Sequence, residues 1–186
     1  MWPFTRTPSH LEFITARARE GDTSALWELA HMYFEGRGIE KNHLCGLDYL
    51  QKAAERGAAM ASYALSSLYM SKNDLARGLQ WMQKAAEQGL GNAQGILGIQ
   101  YSLPKNPQKD LVKACVWLKV AASEFSSLNS DGRQSSEEQL EKLMGVITHQ
   151  QKAEVEKLSA ELIARLPRIS FAEHMAMVDR YENPGC

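Results

Sequence analysis

Histidine and carboxylate side chains come closest to a reactive cluster around His31. Glu28 and Glu35 lie three residues before and four residues after His31, so all three would share one face of a helix. Such a trio could hold a cation, and the alternative is a solvated polar face or part of a protein-binding surface. The five histidines show no His-Glu-x-x-His spacing, and none pairs with a cysteine at metal-ligand spacing. We therefore expect no metal and no cofactor.

Nucleophilic motifs are also missing from the sequence. There is no Gly-x-Ser-x-Gly element and no phosphate-binding loop. Cys45, Cys115 and Cys186 form no Cys-x-x-Cys pair, which is typical of a reducing compartment. Cys45 and Cys115 fall in predicted helices, where a small buried hydrophobe is the expected role. The sequence predicts no catalytic residues and a protein that is not an enzyme.

An internal repeat indicates which elements position these residues. The sequence Lys-Ala-Ala-Glu-Arg-Gly at 52–57 returns as Lys-Ala-Ala-Glu-Gln-Gly at 84–89. Gly21 and Gly57 are 36 residues apart, whereas Tyr69 and Tyr101 are 32 apart. Spacings in the thirties are typical of stacked helix pairs. Tyr49, Trp81 and Trp117 follow the same periods, and we interpret this aromatic column as core packing.

The periodicity predicts an all-α fold, an α-solenoid of about three helix-turn-helix repeats with N-terminal and C-terminal capping helices. Asn42 and Asp110 are expected N-caps, and glycines such as Gly57 end helices. The predicted organisation is a flexible N-terminus at 1–8, a solenoid at 9–166 and a C-terminal tail at 167–186. Within the solenoid the repeats are about 22–57, 58–89 and 90–125, followed by closing helices at 136–166.

Capping boxes mark the ends of the array. The serine or threonine and the glutamate or glutamine of each box are Ser9 and Glu12, Ser135 and Glu138, and Thr148 and Gln151. They predict a first helix to Arg19, a short helix from about Ser136 to Gly145, and a long one to Leu166. Val155, Leu158, Leu162 and Leu166 form the apolar stripe with which the long helix would cover the last hairpin. We expect a loop at 123–136, with a phosphorylation platform as the alternative, and a weak helix or a partner-docking segment after Pro167.

Charge and hydropathy exclude several classes of partner. The formal net charge is −1, from 21 basic and 22 acidic residues, so no global field favours nucleic acid. No stretch reaches transmembrane length, and the first residues lack the basic start and apolar run of a secretory signal. We therefore expect a cytoplasmic protein with no membrane insertion; attachment to a membrane surface through Trp2 and Phe4 is a minor alternative.

The first repeat carries a family pattern. It reads Ala25, Leu29, Ala30 and Tyr33 in the first helix, Gly-Arg-Gly-Ile at 36–39, and the Lys-Ala-Ala-Glu-Arg-Gly run. This pattern resembles the Sel1-like repeat proteins, relatives of tetratricopeptide arrays, over roughly residues 18–166. The resemblance implies the solenoid fold and a role as adaptor, signalling scaffold, secretion-linked factor or bacterial binding or immunity partner. The second repeat departs from the pattern by lacking the glycine loop, and Gly46 replaces the usual alanine.

Variation within the first helix of each repeat suggests a binding surface. In a superhelix of hairpins these helices line the concave side, and several of their positions are not dictated by the repeat. We expect Trp27, Tyr63 and Ile99 to anchor a protein or peptide partner in a groove, and the alternative for each of them is a place in the core. The predicted partner-binding residues are Trp27, Glu28, His31, Glu35, Tyr63, Ser67, Ile96, Ile99 and Leu103.

The sequence thus predicts a non-enzymatic protein-binding module acting as an adaptor, a regulator or a bacterial immunity-type inhibitor. The alternative is an enzyme that binds or hydrolyses β-lactams, as the resemblance extends to cysteine-rich relatives linked to that chemistry. Those relatives use regularly spaced disulfide cysteines, an arrangement that Cys45, Cys115 and Cys186 do not reproduce.

Overall fold

The computed structural model describes residues 9–124 and 130–167, except for the side chains at 124, 130 and 131. In these ranges it contains nine helices and no strand. The helices are α1 (His10–Arg19), α2 (Thr23–Glu35), α3 (His43–Glu55), α4 (Ala59–Ser71), α5 (Leu75–Glu87), α6 (Gly91–Ser102), α7 (Leu111–Glu124), α8 (Ser130–Met144) and α9 (His149–Arg165). The predicted all-α repeat fold is confirmed.

The chain divides into two compact units, Met1–Trp81 and Met82–Cys186, with the boundary inside α5. The first unit is built around the α2–α3 hairpin, which α1 and α4 cover. Its core consists of small and branched apolar side chains, since Leu26, Leu29, Leu50 and Leu65 are buried beside several alanines. Trp27, Phe34, Tyr49 and Trp81 pack at the margin of this core. Tyr49 and Trp81 therefore have the packing role that their repeat register predicts.

Local signals start and stop the helices of the first unit. The Asn42 carboxamide accepts hydrogen bonds from the amides of Leu44 (3.0 Å) and Cys45 (3.1 Å), which confirms it as an N-cap. Gly36 ends α2 with a left-handed φ of 77°, a conformation that costs glycine little. In the second repeat the four-residue-shorter connection turns instead at Asn73, whose φ is 61°.

Gly46, the departure from the family pattern, has a steric explanation. A Cβ on Gly46 would lie 2.7 Å from ring atoms of Phe34. The same relation holds one repeat later, where a Cβ on Gly78 would lie 2.6 Å from Cγ of Met70. In the third repeat the corresponding residues are Ser102 and Ala114. In the first two repeats a glycine on the second helix of the hairpin thus makes room for a large side chain near the end of the first helix.

The second unit is organised around α7, which packs against α6, α8 and α9. Helices α6 and α7 approach closely at Gly98, where a Cβ would lie 2.7 Å from Cγ of Leu118 and 3.0 Å from the Ala114 carbonyl oxygen. Cys115 and Val155 are buried in a core shared by α7 and α9. Trp117 is only 7% exposed, as expected for the aromatic column. Asp110 caps α7 by accepting from the Lys113 amide at 3.0 Å, and its predicted role is confirmed.

The ends of the array confirm two capping boxes and correct a third. Both hydrogen bonds of the box form at Ser9 with Glu12 and at Thr148 with Gln151. Ser135 caps no helix, because α8 begins earlier, at Ser130, and carries Ser135 in its interior. The predicted loop at 123–136 is wrong at both ends, since α7 runs to Glu124 and α8 includes Asp131 and Gly132.

The apolar stripe of α9 is only partly buried. Val155 and Leu166 are buried, and Leu162 packs against the core. Leu158 is 38% exposed, and Ser159 is buried instead. Serine can be buried here because its hydroxyl donates to the Glu156 carbonyl oxygen at 3.2 Å.

Among the described residues, no helix is long and apolar enough to cross a membrane. The predictions for the N-terminus at 1–8, including Trp2 and Phe4, for Cys186, and for the tail after Pro167 lie outside the described residues.

Candidate partner-binding surface

Eight of the nine predicted partner-binding residues lie on three helices, and Leu103 follows the last of these helices directly. Six belong to the first unit: Trp27, Glu28, His31 and Glu35 on α2, and Tyr63 and Ser67 on α4. Ile96, Ile99 and Leu103 belong to the second unit, on α6 or directly after it. All nine are at least partly exposed, so none is completely buried in the core. Their role in binding stays a prediction.

Aromatic rings follow one another along α2 and into α3. The centroids of the Trp27 and His31 rings are 4.5 Å apart, and those of His31 and Phe34 are 6.3 Å apart. Phe34 continues to His43 at 5.9 Å. These centroid distances are typical of favourable aromatic contacts. Helix α2 therefore presents a connected aromatic surface next to the core of the first unit.

Carboxylates flank this aromatic surface and are held by basic partners. Glu28 Oε1 lies 2.7 Å from Nε2 of His10 on α1, and Glu35 Oε2 lies 2.6 Å from Nε of Arg37. His31 Nδ1 lies 3.6 Å from Glu35 Oε1. Burial lowers the pKa of His31 below its ordinary value, although the Glu35 carboxylate acts in the opposite direction. Burial therefore favours the neutral form of His31.

The cation site considered for His31, Glu28 and Glu35 does not assemble. Glu28 contacts His10 on another helix, and no group of three or more potential metal ligands converges within the described residues. The polar residues of α2 instead make salt bridges and hydrogen bonds at a protein surface. Exposed pairs of this kind contribute little to the stability of the fold. In a complex they would instead help to orient the partner and to select it.

On α4, Tyr63 is partly exposed and Ser67 is exposed. The Ser67 hydroxyl donates to the Tyr63 carbonyl oxygen at 3.2 Å. Tyr63 occupies the repeat position that Trp27 holds in α2, since the two are 36 residues apart. The first unit thus carries an aromatic residue at this position on both of its leading repeat helices.

On α6 the equivalent position is occupied differently. Gly95 stands 32 residues after Tyr63, and a Cβ there would lie 3.4 Å from Oγ of Ser136 on α8 and 3.9 Å from Cβ of Ala121. Ser136 is only 4% exposed. Part of the α6 face is therefore covered by the closing helix α8. Ile99 (36% exposed) and Leu103 (40% exposed) remain accessible.

A cleft that sequence reasoning missed lies between α1, α2 and α3. It has a volume of about 230 Å³, and its lining includes Thr15, Arg19, Tyr49, Lys52 and Arg56. The signal that could have revealed it is Arg56, because the second repeat has Gln88 at that position. The fold of the repeat does not require a cation there.

The described cysteines offer no obvious nucleophile. Cys115 is completely buried, and burial raises the pKa of its thiol, which disfavours the reactive thiolate. Cys45 is partly exposed, so its expected burial is only partial, and both thiols are free.

Comparison with known proteins agrees with this architecture. The Sel1 repeat model matches residues 23–57, 58–90 and 92–124. The crystal structure of a Sel1 repeat protein from Oxalobacter formigenes is 30% identical, with a TM-score of 0.59, over 67% of this chain and 96% of that chain. A protective antigen of uropathogenic Escherichia coli with an SLR fold is 23% identical, with a TM-score of 0.44, over 95% of this chain and 44% of that chain. An immunity protein from Pseudomonas aeruginosa is 20% identical, with a TM-score of 0.36, over 87% of this chain and 76% of that chain. The three matched repeats, which cover more than half of the sequence, show that the chain belongs to the Sel1 repeat family.

Proposed function

We propose that this chain is a protein-binding module that captures a protein or peptide partner through the α2 and α4 surface of its first unit. Sel1 repeat proteins generally mediate protein–protein interactions and are typically non-enzymatic scaffolds. Adaptor, regulator and immunity-type inhibitor are three forms that such capture can take. The proposal concerns the binding surface that all three would share.

The observation that carries the proposal is the pair of rings formed by Trp27 and His31, with partly exposed Tyr63 at the next repeat position. Tryptophan and tyrosine dominate binding energy at protein interfaces because they bury large areas with few rotatable bonds. Glu28 and Glu35 at the margin suit the polar rim that surrounds such anchors.

Helix α6 is expected to make a smaller contribution through Ile96, Ile99 and Leu103. These side chains are apolar, but the neighbouring position Gly95 is packed against α8. These residues would supply apolar contacts on the second unit alone.

The alternative β-lactam chemistry has less support. The cysteine-rich relatives linked to it carry regular disulfides, whereas Cys45 and Cys115 are both free. Hydrolysis of a chromogenic β-lactam by the purified chain would favour this alternative.

The test uses the tagged chain as bait in lysate of the native host, followed by binding measurements with each purified captured protein. We expect Trp27→Ala combined with Tyr63→Ala to weaken partner affinity by about 30-fold or more. Glu35→Lys, which leaves both anchors in place, should weaken it less, by reversing a charge at the rim.

Phe13→Ala is the matched control, because Phe13 is an aromatic residue of the same unit that is 51% exposed on α1. Thermal unfolding followed by circular dichroism separates lost binding from lost fold. Equal partner affinity of the native chain and a folded Trp27→Ala, Tyr63→Ala variant would refute the proposed surface.

A further inference from the structure

The cleft between α1, α2 and α3 concentrates positive charge in a nearly neutral protein. Arg19 from α1 and Lys52 and Arg56 from α3 contribute to its lining, and none of its lining residues is acidic. Thr15 and Tyr49 add two hydroxyl groups. The lining therefore offers both charged and neutral hydrogen-bond donors to a ligand in the cleft.

Two of the three cations have no carboxylate partner among the described residues. Lys52 Nζ lies 2.5 Å from Asp48 Oδ2 and also stacks over the Tyr49 ring at 5.3 Å. Arg19 and Arg56, by contrast, form no ion pair with any residue that the structure describes.

Nearby carboxylates are engaged elsewhere. Asp22 is paired with Arg17, and the Glu55 carboxylate accepts a hydrogen bond from the Gln51 side chain at 2.8 Å. Neither Asp22 nor Glu55 contributes to the lining of the cleft.

The positions of the two arginines are specific to this place in the chain. Arg56 aligns with Gln88 of the next repeat, and Arg19 aligns with Glu55 and Glu87. Helices of the same repeat therefore form with a neutral or an acidic residue at these positions. The Arg56 guanidinium also lies against the α1–α2 turn, since a Cβ on Gly21 would meet its Nε at 3.4 Å. The turn thus places the guanidinium between the first two helices.

We propose that this cleft binds carboxylates of an acidic segment of the protein partner. Guanidinium groups bind carboxylates through paired, charge-assisted hydrogen bonds, and neither arginine makes such a pair within residues 9–124 and 130–167. The inference rests on the proposed function only in taking a protein segment as the ligand. Neither Trp27 nor Tyr63 lines the cleft, so the two sites can be tested with different variants.

The probe is a fluorescein-labelled peptide of alternating glutamate and glycine, with a glutamine-for-glutamate peptide as its neutral counterpart. Fluorescence anisotropy of the full chain at physiological salt should show binding of the glutamate peptide alone. Arg56→Gln, which introduces the residue of the second repeat, should weaken binding roughly tenfold, because it removes a charged hydrogen-bonding partner. Arg19→Gln should have an effect of similar size.

Arg165→Gln is the matched control, because Arg165 is an exposed arginine in the last turn of α9. Unchanged binding by this variant and unchanged thermal unfolding of Arg56→Gln would support the cleft. Equal affinities of native and Arg56→Gln protein would overturn it, as would an equal loss in Arg165→Gln.

Inorganic phosphate distinguishes the source of the oxyanion. Millimolar phosphate should compete only weakly with the peptide if the site is built for carboxylates of a chain. Phosphate binding without glutamate-peptide binding would overturn the assignment to an acidic segment. The Trp27→Ala, Tyr63→Ala variant should still bind the glutamate peptide, so failure of the anchor surface and failure of the cleft give different results.

Discussion

Helices α2 and α6 begin the first and third repeats, but they use the same repeat position in opposite ways. On α2 the position carries Trp27, a partly exposed indole beside His31. On α6 it carries Gly95, which is buried next to Ser136 of α8. The repeat scaffold thus leaves this face free to vary. In the second unit the chain covers part of it with its own closing helix, whereas in the first unit the side chain at this position is partly exposed.

The comparison predicts that the tryptophan of the first unit cannot be transferred to the second. Gly95→Trp should destabilise the protein by about 3 kcal/mol, because the indole would force α8 away from α6. Urea unfolding followed by circular dichroism measures this loss. Gly95→Ala is the control and should not destabilise the protein, since its Cβ would meet only ordinary contacts and alanine has the better helix propensity. A fully stable Gly95→Trp protein would contradict the proposed covering of α6.

The pairing of glycine with a large residue can be tested with a double-mutant cycle at Gly46 and Phe34. Gly46→Ala should cost about 1 kcal/mol, because the clash with the Phe34 ring outweighs the better helix propensity of alanine. In a Phe34→Ser background the same change should cost much less, because only the 3.1 Å approach of the Cβ to the Ala30 carbonyl oxygen then opposes the better helix propensity of alanine. Serine is the chosen background because the third repeat has Ser102 there. Equal effects in both backgrounds would show that the two residues are not coupled.

The two capping boxes provide matched changes in the two units. Ser9→Ala and Thr148→Ala should each cost about 1 kcal/mol, because each removes an acceptor for a helix-terminal amide. Hydrogen exchange should show faster exchange in α1 for Ser9→Ala and in α9 for Thr148→Ala. Identical exchange patterns for the two variants would argue against two separate units.

The smallest expected effect is the pH dependence contributed by His31. Burial lowers the folded-state pKa of His31 below its ordinary value of 6.5, so the unfolded chain takes up the proton first as pH falls. The stability contribution of neutral His31 is therefore present above pH 6.5 and is lost as pH falls through the folded-state pKa. Thermal melts of native and His31→Gln protein across this range measure the difference. If the melting temperatures of native and His31→Gln protein changed with pH in the same way, His31 would not contribute to the pH dependence of stability.

Local signals in the sequence predicted helix starts and stops well where no competing contact interfered. Asn42, Asp110 and Thr148 cap helices as expected, because each cap depends on a few neighbouring residues. The prediction that Ser135 caps a helix was wrong, because α8 starts earlier, at Ser130. A capping-box spacing permits a helix start but does not exclude one further upstream.

Partial burial was harder to predict than helix position. Leu158 belongs to the apolar stripe of α9 by spacing, but it is 38% exposed, whereas Ser159 is buried. Helical periodicity shows which residues share a face. How far that face is covered depends on the neighbouring helix, which the pattern of one helix does not contain.

The sequence by itself determined the repeat, its helical hairpins and the family, because these depend on spacing and on residues close in the chain. Only the tertiary structure decided that Gly95 lies against α8, that Phe34 occupies the space above Gly46, and that Arg19 and Arg56 line one cleft. Each of these relations joins residues of different helices. They depend on how the side chains of neighbouring helices pack, which no local periodicity specifies.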